Sequence, residues 1–249
     1  MGHLRLTGRD LETLSFTAEH RLVLADHVAA LHGASATGAT SRLRSLSRAG
    51  FLAAHRPFDR GPTCFQITRA GLNAIDADLR APRRLDLRSS EHEIGAAWLW
   101  LAASHGVFGP LREVLGERRL RSSDASAERR GDPYGVRLGG VGPGGRERLH
   151  YPDLLLIDPG GRRIALELEL SSKGRPRREK ILAGYAADAR VDVVLYLVRD
   201  GRIGRSIQKS ARRLGISPLV HVQRVEFAGA RAGGGGRAIE RTPTAVAAR

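Results

Sequence analysis

Hydrophobic and polar positions alternate most clearly in the middle of the chain, between residues 151 and 173. Residues 154–157 form a short apolar run after a Tyr-Pro-Asp sequence, and a Pro-Gly-Gly turn follows. An apolar run bounded by turn residues is typical of a buried strand. In residues 164–171, Ile and Leu alternate with Ala, Glu and Ser, which predicts a second strand with its leucines on one face and its glutamates on the other. The pattern therefore predicts a central β-hairpin.

Three carboxylates are expected to meet on this hairpin. Glu167 and Glu169 are two residues apart on one strand, so they share a face and lie roughly 7 Å apart. Asp153 begins the neighbouring strand. Clustered carboxylates repel each other unless a proton or a cation intervenes, and Mg²⁺ or Mn²⁺ prefers carboxylate oxygens. We therefore predict a Mg²⁺ or Mn²⁺ site formed by Asp153, Glu167 and Glu169, able to activate water against a phosphodiester. The alternative is a solvated strand face.

Further candidates for catalysis lie around the hairpin. The chain has 41 Lys and Arg residues, yet lysine occurs only at positions 173, 180 and 209. Lys173 follows the glutamate strand and Lys180 lies in the helical segment after it, so either ammonium could stabilise charge on a phosphate. Glu117 is a further acid that could approach the cluster, and its alternative is an ion pair with an arginine.

The first eighty residues show helical apolar spacing followed by two short strand patterns. Thr7 and Thr17 are expected to cap the first two helices, and residues 35–49 predict a third. Residues 51–56 and 63–68 predict two strands that flank a turn-rich tip. Three helices followed by a hairpin are typical of a winged helix, which contacts DNA through its third helix and its wing.

The polar side of the third predicted helix combines hydroxyl groups with arginines. Such side chains suit contacts with phosphates and with base edges in the major groove. Together with two arginines of the wing, the predicted DNA-binding residues are Thr37, Thr40, Ser41, Arg42, Arg44, Ser45, Arg48, Arg56 and Arg60. The alternative for this half is a small helical domain that pairs with another protein.

The remaining chain predicts a second domain after a linker. We expect a winged helix over residues 1–80, a linker over 81–90, a second domain over 91–228 and a disordered tail rich in Gly, Ala and Arg over 229–249. Within the second domain, helices alternate with apolar strands after the hairpin, which predicts a mixed sheet. The predicted helices and strands cover residues 90–103, 177–189, 192–198, 203–214 and 220–225, and a long loop covers 121–147.

Composition points to a polyanionic partner. The chain of 249 residues has a net charge of +15 and a pI near 11.3, which favours nucleic acid. The alternative is a general arginine bias of composition. The single cysteine, Cys64, excludes an intramolecular disulfide and a cysteine-based zinc site. No apolar run reaches membrane-spanning length and no apolar signal core begins the chain, so we expect no membrane association and a cytoplasmic location.

These motifs resemble a known family. Pro152-Asp153, Glu167-Leu168-Glu169 and Lys173 resemble the core of restriction-endonuclease-like PD-(D/E)XK nucleases, with Glu169 where lysine is usual. With the motifs at residues 89–92 and 116–121, their order resembles the replication-relaxation family of plasmids and integrative elements. The resemblance implies an α/β chain (α+β overall) with an N-terminal winged helix-turn-helix followed by a restriction-endonuclease-like mixed-sheet α/β domain.

The leading hypothesis is therefore a protein that binds duplex DNA and carries a metal-dependent DNA endonuclease site, which nicks or cleaves. The resemblance implies a role in replication or transfer of a mobile element. The alternative is a non-catalytic winged-helix DNA-binding regulator or accessory factor with a degenerate nuclease fold. A third hypothesis is an adaptor that binds protein only. A homodimer is one assembly that the sequence leaves open.

Overall fold

The chain is a mixed α/β protein in a computed structural model that describes residues 4–56, 61–82, 89–126, 131–142, 145 and 147–226. Arg60, most of the predicted linker and the whole predicted tail lie outside these residues. The chain divides into two compact units between Ala102 and Ala103. No helix in the described ranges is long and apolar enough to cross a membrane.

The first unit begins with three helices, α1 (Gly8–Glu19), α2 (Ala25–His32) and α3 (Ala36–Arg48). Thr7 caps α1 in a capping box, because its hydroxyl accepts from the amide of Asp10 while the Asp10 carboxylate accepts from the amide of Thr7. Ser35 caps α3 through the amide of Gly38. Thr17 lies inside α1 instead of capping α2, so that prediction is wrong.

A two-stranded antiparallel hairpin follows, formed by β1 (Leu52–His55) and β2 (Cys64–Ile67), and α4 (Arg69–Ala74) comes next. Val23 adds a bridge to Phe65 of β2. Gly71 of α4 lies so close to the hairpin that a Cβ atom there would be 2.3 Å from the Phe51 carbonyl oxygen. Helix and hairpin are therefore packed without room for a methyl group.

Most of α5 (Ser90–Ser104) also belongs to the first unit, although the predicted second domain includes this helix. Its Ala97 and Leu101 join the core built from Leu14, Leu43 and Phe65. Both tryptophans of the chain, Trp98 and Trp100, lie on this helix and pack against the same core.

The second unit is organised by a five-stranded mixed sheet of order β3-β6-β7-β8-β9. Neighbours among β3, β6 and β7 are antiparallel, and β7, β8 and β9 are parallel. The predicted central hairpin is confirmed as β6 and β7. The strands are β3 (Glu113–Gly116), β6 (Leu154–Ile157), β7 (Arg163–Glu169), β8 (Val193–Val198) and β9 (Val220–Arg224).

Three helices and a second hairpin complete this unit. The helices are α6 (Glu117–Ala125), α7 (Arg175–Ala187) and α8 (Gly201–Arg213), and the hairpin consists of β4 (Val136–Val141) and β5 (Glu147–His150). Residues 121–147 therefore include regular structure where the sequence predicts a long loop. Apolar side chains of α7 and α8 pack on one face of the sheet, with Ile181, Ile207 and Val194 in a common core.

Candidate functional site

Strand β7 places its two glutamates under the helices of the second unit. Because Glu167 pairs with Tyr196 of β8 in parallel register, it lies on the face that α7 and α8 cover. Glu167 is 1 % exposed and Glu169 is 2 % exposed. The predicted separation of glutamates from leucines is confirmed, but the alternative of a solvated strand face is wrong, because both faces are buried.

Glu167 is the centre of a buried hydrogen-bond network. Its Oε1 lies 2.5 Å from Nε2 of His150 and accepts from the hydroxyl of Tyr185 at 2.5 Å. Its Oε2 lies 3.7 Å from Nζ of Lys173. Burial acts to raise the pKa of Glu167, but His150, Lys173 and Tyr185 outweigh it and lower that pKa to about 2. The carboxylate is therefore held in its charged form.

Lys173 connects the two glutamates. Its Nζ lies 2.8 Å from Oε2 of Glu169, and its backbone amide donates to Oε1 of the same residue at 2.9 Å. Burial acts to lower the pKa of Lys173, but the charges of Glu167 and Glu169 outweigh it and raise that pKa. One ammonium thus neutralises part of the charge of two buried carboxylates.

Asp153 lies at the start of β6 and joins this cluster. Its Oδ2 accepts from the amide of Leu168 at 2.7 Å, between the two glutamates along β7. Its charge also contributes to the raised pKa of Lys173. Four of the six predicted catalytic residues, Asp153, Glu167, Glu169 and Lys173, are therefore close together at the junction of β6 and β7.

The other two predicted catalytic residues are placed differently. Glu117 begins α6, where it forms an ion pair with Arg121 at 2.7 Å, and its backbone amide donates to the carbonyl oxygen of Asp153. Lys180 is exposed on α7. It lines an open cleft of about 1080 Å³ together with Arg148, Arg177 and His150. His150 thus links this basic cleft to the buried Glu167.

Protein groups surround the predicted metal ligands, although Oε2 of Glu169 has no hydrogen-bond partner among the described residues. Within the described ranges, no group of three His, Cys, Asp or Glu side chains is arranged to hold a metal ion. Glu167 is bonded to His150 and Tyr185, and Nζ of Lys173 lies beside Glu169. Mg²⁺ requires oxygen ligands in nearly octahedral positions. In this arrangement the ammonium group of Lys173 supplies a positive charge beside both glutamates.

The first unit presents the predicted DNA-binding helix at its surface. Thr37, Ser41, Arg44 and Arg48 are exposed on α3, and they line a shallow groove of about 400 Å³ with Thr40. The opposite side of α3 packs into the core through buried apolar residues. This burial fixes the helix, so its exposed side forms a defined polar and basic face.

Several predicted DNA-binding residues have contacts within the protein. Arg42 forms an ion pair with the buried Asp10 through two nitrogen atoms. Burial acts to raise the pKa of Asp10, but Arg42 and the cap at Thr7 lower it to about 2. The hydroxyls of Thr40 and Ser45 donate to carbonyl oxygens one turn earlier in α3. Arg56 is exposed just after β1.

Sequence reasoning missed His150 and the polar role of Tyr185. His150 ends β5, a strand that the sequence predicts as loop. Tyr185 is predicted only as an inward-facing residue of α7, yet its hydroxyl donates to Glu167. The available signal for His150 was its position directly before the Tyr-Pro-Asp motif. Comparison of the chain with protein-family models, with curated proteins and with solved structures finds no match.

Proposed function

We propose that the chain is a non-catalytic DNA-binding protein whose first unit contacts duplex DNA through α3. The observation that carries the proposal is the exposed face formed by Thr37, Ser41, Arg44 and Arg48 on a helix fixed by its buried side. Arginine side chains bind phosphates and guanine edges, and small hydroxyls allow a helix to approach the groove closely.

The order of elements supports this assignment. Three helices, a two-stranded hairpin and the bridge from Val23 to Phe65 correspond to the parts expected of a winged helix, in which the third helix enters the major groove. The net charge of +15 adds a general attraction to polyanions. A partner that is only protein would give no reason for the net charge.

For the second unit we propose a restriction-endonuclease-like fold whose acidic strand is structural. The strand order and the hairpin carrying Asp153, Glu167 and Glu169 are consistent with the PD-(D/E)XK resemblance. Lys173, His150 and Tyr185 bind the carboxylates from within the protein. In this reading the network stabilises the fold, and the chain serves as an accessory factor in replication or transfer of a mobile element.

The DNA contact is tested by measuring how the affinity for duplex DNA depends on salt. Replacing Arg44 and Arg48 of α3 by glutamine should lower the slope of log K against log salt by about 0.9 for each lost phosphate contact. The matched control replaces Arg112 and Arg162 by glutamine. Both arginines lie outside α3, so the control removes the same charge elsewhere. An equal response in both variants would show that α3 is no specific contact surface.

A second candidate function is Mg²⁺- or Mn²⁺-dependent DNA cleavage. It is favoured by the convergence of Asp153, Glu167, Glu169 and Lys173 at one junction of two strands. Plasmid nicking that requires either metal and disappears in both Asp153→Ala and Glu167→Ala would replace our non-catalytic proposal. We expect binding without nicking in the wild-type protein under both metals.

A further inference from the structure

Helix α8 carries a cationic stripe that the proposed function does not use. Its inner side packs into the core of the second unit through Ile203, Ile207 and Ala211. On a helix of 3.6 residues per turn, the positions opposite these residues form one outward line. That line consists of the exposed side chains Arg202, Arg205, Lys209 and Arg212.

The charge of this stripe is not neutralised by the helix itself. No acidic residue occurs between Gly201 and Arg213. Glu179 of α7 pairs with Arg175 and Arg213, and Asp200 accepts from the amide of Arg202 as the helix cap. In the described part of the second unit, none of the four cationic side chains of the stripe forms an ion pair.

Such an arrangement has a cost in the isolated protein. Like charges three or four residues apart on a helix repel each other. Arg202 also lies near the positive N-terminal end of the helix, where a cation is unfavourable. A polyanion that binds along the stripe removes this repulsion, whereas an apolar or cationic partner does not.

The dimensions of the stripe suit a nucleic-acid backbone. Residues 202 and 212 are ten positions apart, which corresponds to about 15 Å along the helix axis. Duplex DNA carries one negative charge for about every 1.7 Å of its axis, so several phosphates fall within that length. Long cationic side chains of this kind contact phosphates, and such contacts position a protein on DNA without reading the base sequence.

We propose that the outer face of α8 is a second nucleic-acid contact surface, which binds the phosphate backbone of duplex DNA independently of sequence. The inference rests on the proposed function, because it extends DNA binding from α3 in the first unit to α8 in the second. It assigns to the nuclease-like unit a binding role that needs no cleavage.

The test uses the full chain and a duplex of random sequence, with binding followed by fluorescence anisotropy over a range of salt concentrations. Arg205→Gln/Lys209→Gln should lower the salt slope by about 1.8, since each lost phosphate contact contributes about 0.9. Arg112→Gln/Arg162→Gln removes the same charge just before β3 and in the β6–β7 turn, and it should leave the slope unchanged. Thermal unfolding of the stripe variant should show no loss of stability relative to the wild type, which separates lost contact from lost folding.

Each outcome separates this inference from the proposed function. A slope that falls in the α3 variant but not in the α8 variant overturns the role of α8 and leaves the proposed function in place. A slope that falls in the α8 variant alone supports α8 and removes α3 as the DNA contact. Equal falls in the α8 variant and in its control overturn the inference, because net charge would then account for the binding.

Discussion

Replacing Lys173 by methionine is the sharpest perturbation of the buried charge network. Methionine keeps much of the length of the side chain but removes the ammonium group that lies 2.8 Å from Glu169 and 3.7 Å from Glu167. Both glutamates would remain buried, with no cation beside Glu169. The variant therefore measures what one charge contributes to the second unit.

The expected cost follows from the burial of the partners. Removing one member of a buried ion pair costs about 3–5 kcal/mol, because the remaining charge is left without compensation. The side chain of Lys173 is 28 % exposed, so solvent screens part of the interaction. We therefore expect a loss near the lower limit, about 3 kcal/mol, which is a large fraction of the 5–15 kcal/mol by which such domains are typically stable.

The chain supplies a separate optical signal for each unit. Both tryptophans lie on α5 in the first unit, whereas all four tyrosines, at positions 134, 151, 185 and 196, lie in the second. Urea unfolding should be followed by tryptophan fluorescence and by near-ultraviolet circular dichroism of the tyrosines. Lys173→Met should shift the tyrosine transition to lower urea and leave the tryptophan transition unchanged.

Two further variants make the test decisive. Lys180→Met removes an exposed lysine of α7 and should change stability by no more than about 0.5 kcal/mol. Adding Glu169→Gln to Lys173→Met removes one uncompensated charge and should restore part of the lost stability. If Lys173→Met were as stable as Lys180→Met, the ammonium group would not stabilise the buried carboxylates, and our account of the buried charge network would be wrong.

Three predictions concern the first unit, and the tryptophan signal reports each of them. Burial lowers the pKa of His27 to about 3, below the unfolded value of 6.5. The contribution of neutral His27 to the free energy of unfolding is therefore complete above pH 6.5 and is lost as the pH falls. Stability should decrease by about 1.4 kcal/mol per pH unit below 6.5, and a flat profile would contradict this. Asp10→Asn should lower the free energy of unfolding by about 2 kcal/mol, since it weakens the cap at Thr7 and leaves Arg42 without its anion. The control is Glu12→Gln at an exposed neighbouring position, and an equally small loss in both variants would contradict the prediction. Gly71→Ala should cost about 1–3 kcal/mol because of the contact with Phe51, whereas Gly8→Ala, with nothing within 4 Å, should cost nothing.

The central part of the fold could be predicted from the sequence because its patterns are local. The alternation in residues 164–171 gives β7 its faces, and the Pro-Gly-Gly turn fixes its pairing with β6. The capping box at Thr7 is confirmed for the same reason. Such signals depend on neighbours a few residues apart, which the sequence displays directly.

The hairpin β4–β5 and the ends of two helices depend on contacts that the sequence does not display. Gly139 and Gly140 of β4 adopt positive φ angles, which glycine permits. Glycines at such positions make the sequence look like that of a loop, although the strand pairs with β5. Thr17 resembles a helix cap, but its hydroxyl donates to Thr13 within a longer α1. In both cases tertiary packing outweighs local preference.

The position of the candidate site could be predicted from the sequence, but its burial and its hydrogen-bond partners could not. The alternating pattern of the strand correctly predicts that Glu167 and Glu169 share one face, and Asp153 at the start of β6 lies beside them. Whether such a face is open depends on the helices above it, and α7 contributes Tyr185 from eighteen residues away. His150 comes from a different hairpin, so no spacing within one strand could have indicated it.

The three lysines of the chain lie in three different surroundings, which has a practical consequence for chemical labelling. Acylating reagents attack only the neutral amine, and the two carboxylates beside Lys173 keep its amine protonated by raising its pKa. Lys180 and Lys209 are exposed, in the cleft and on α8 respectively. Mass spectrometry of the labelled peptides should therefore show slow modification at Lys173 and fast modification at the other two. Bound DNA should then slow the labelling of Lys209 selectively, because it covers that amine.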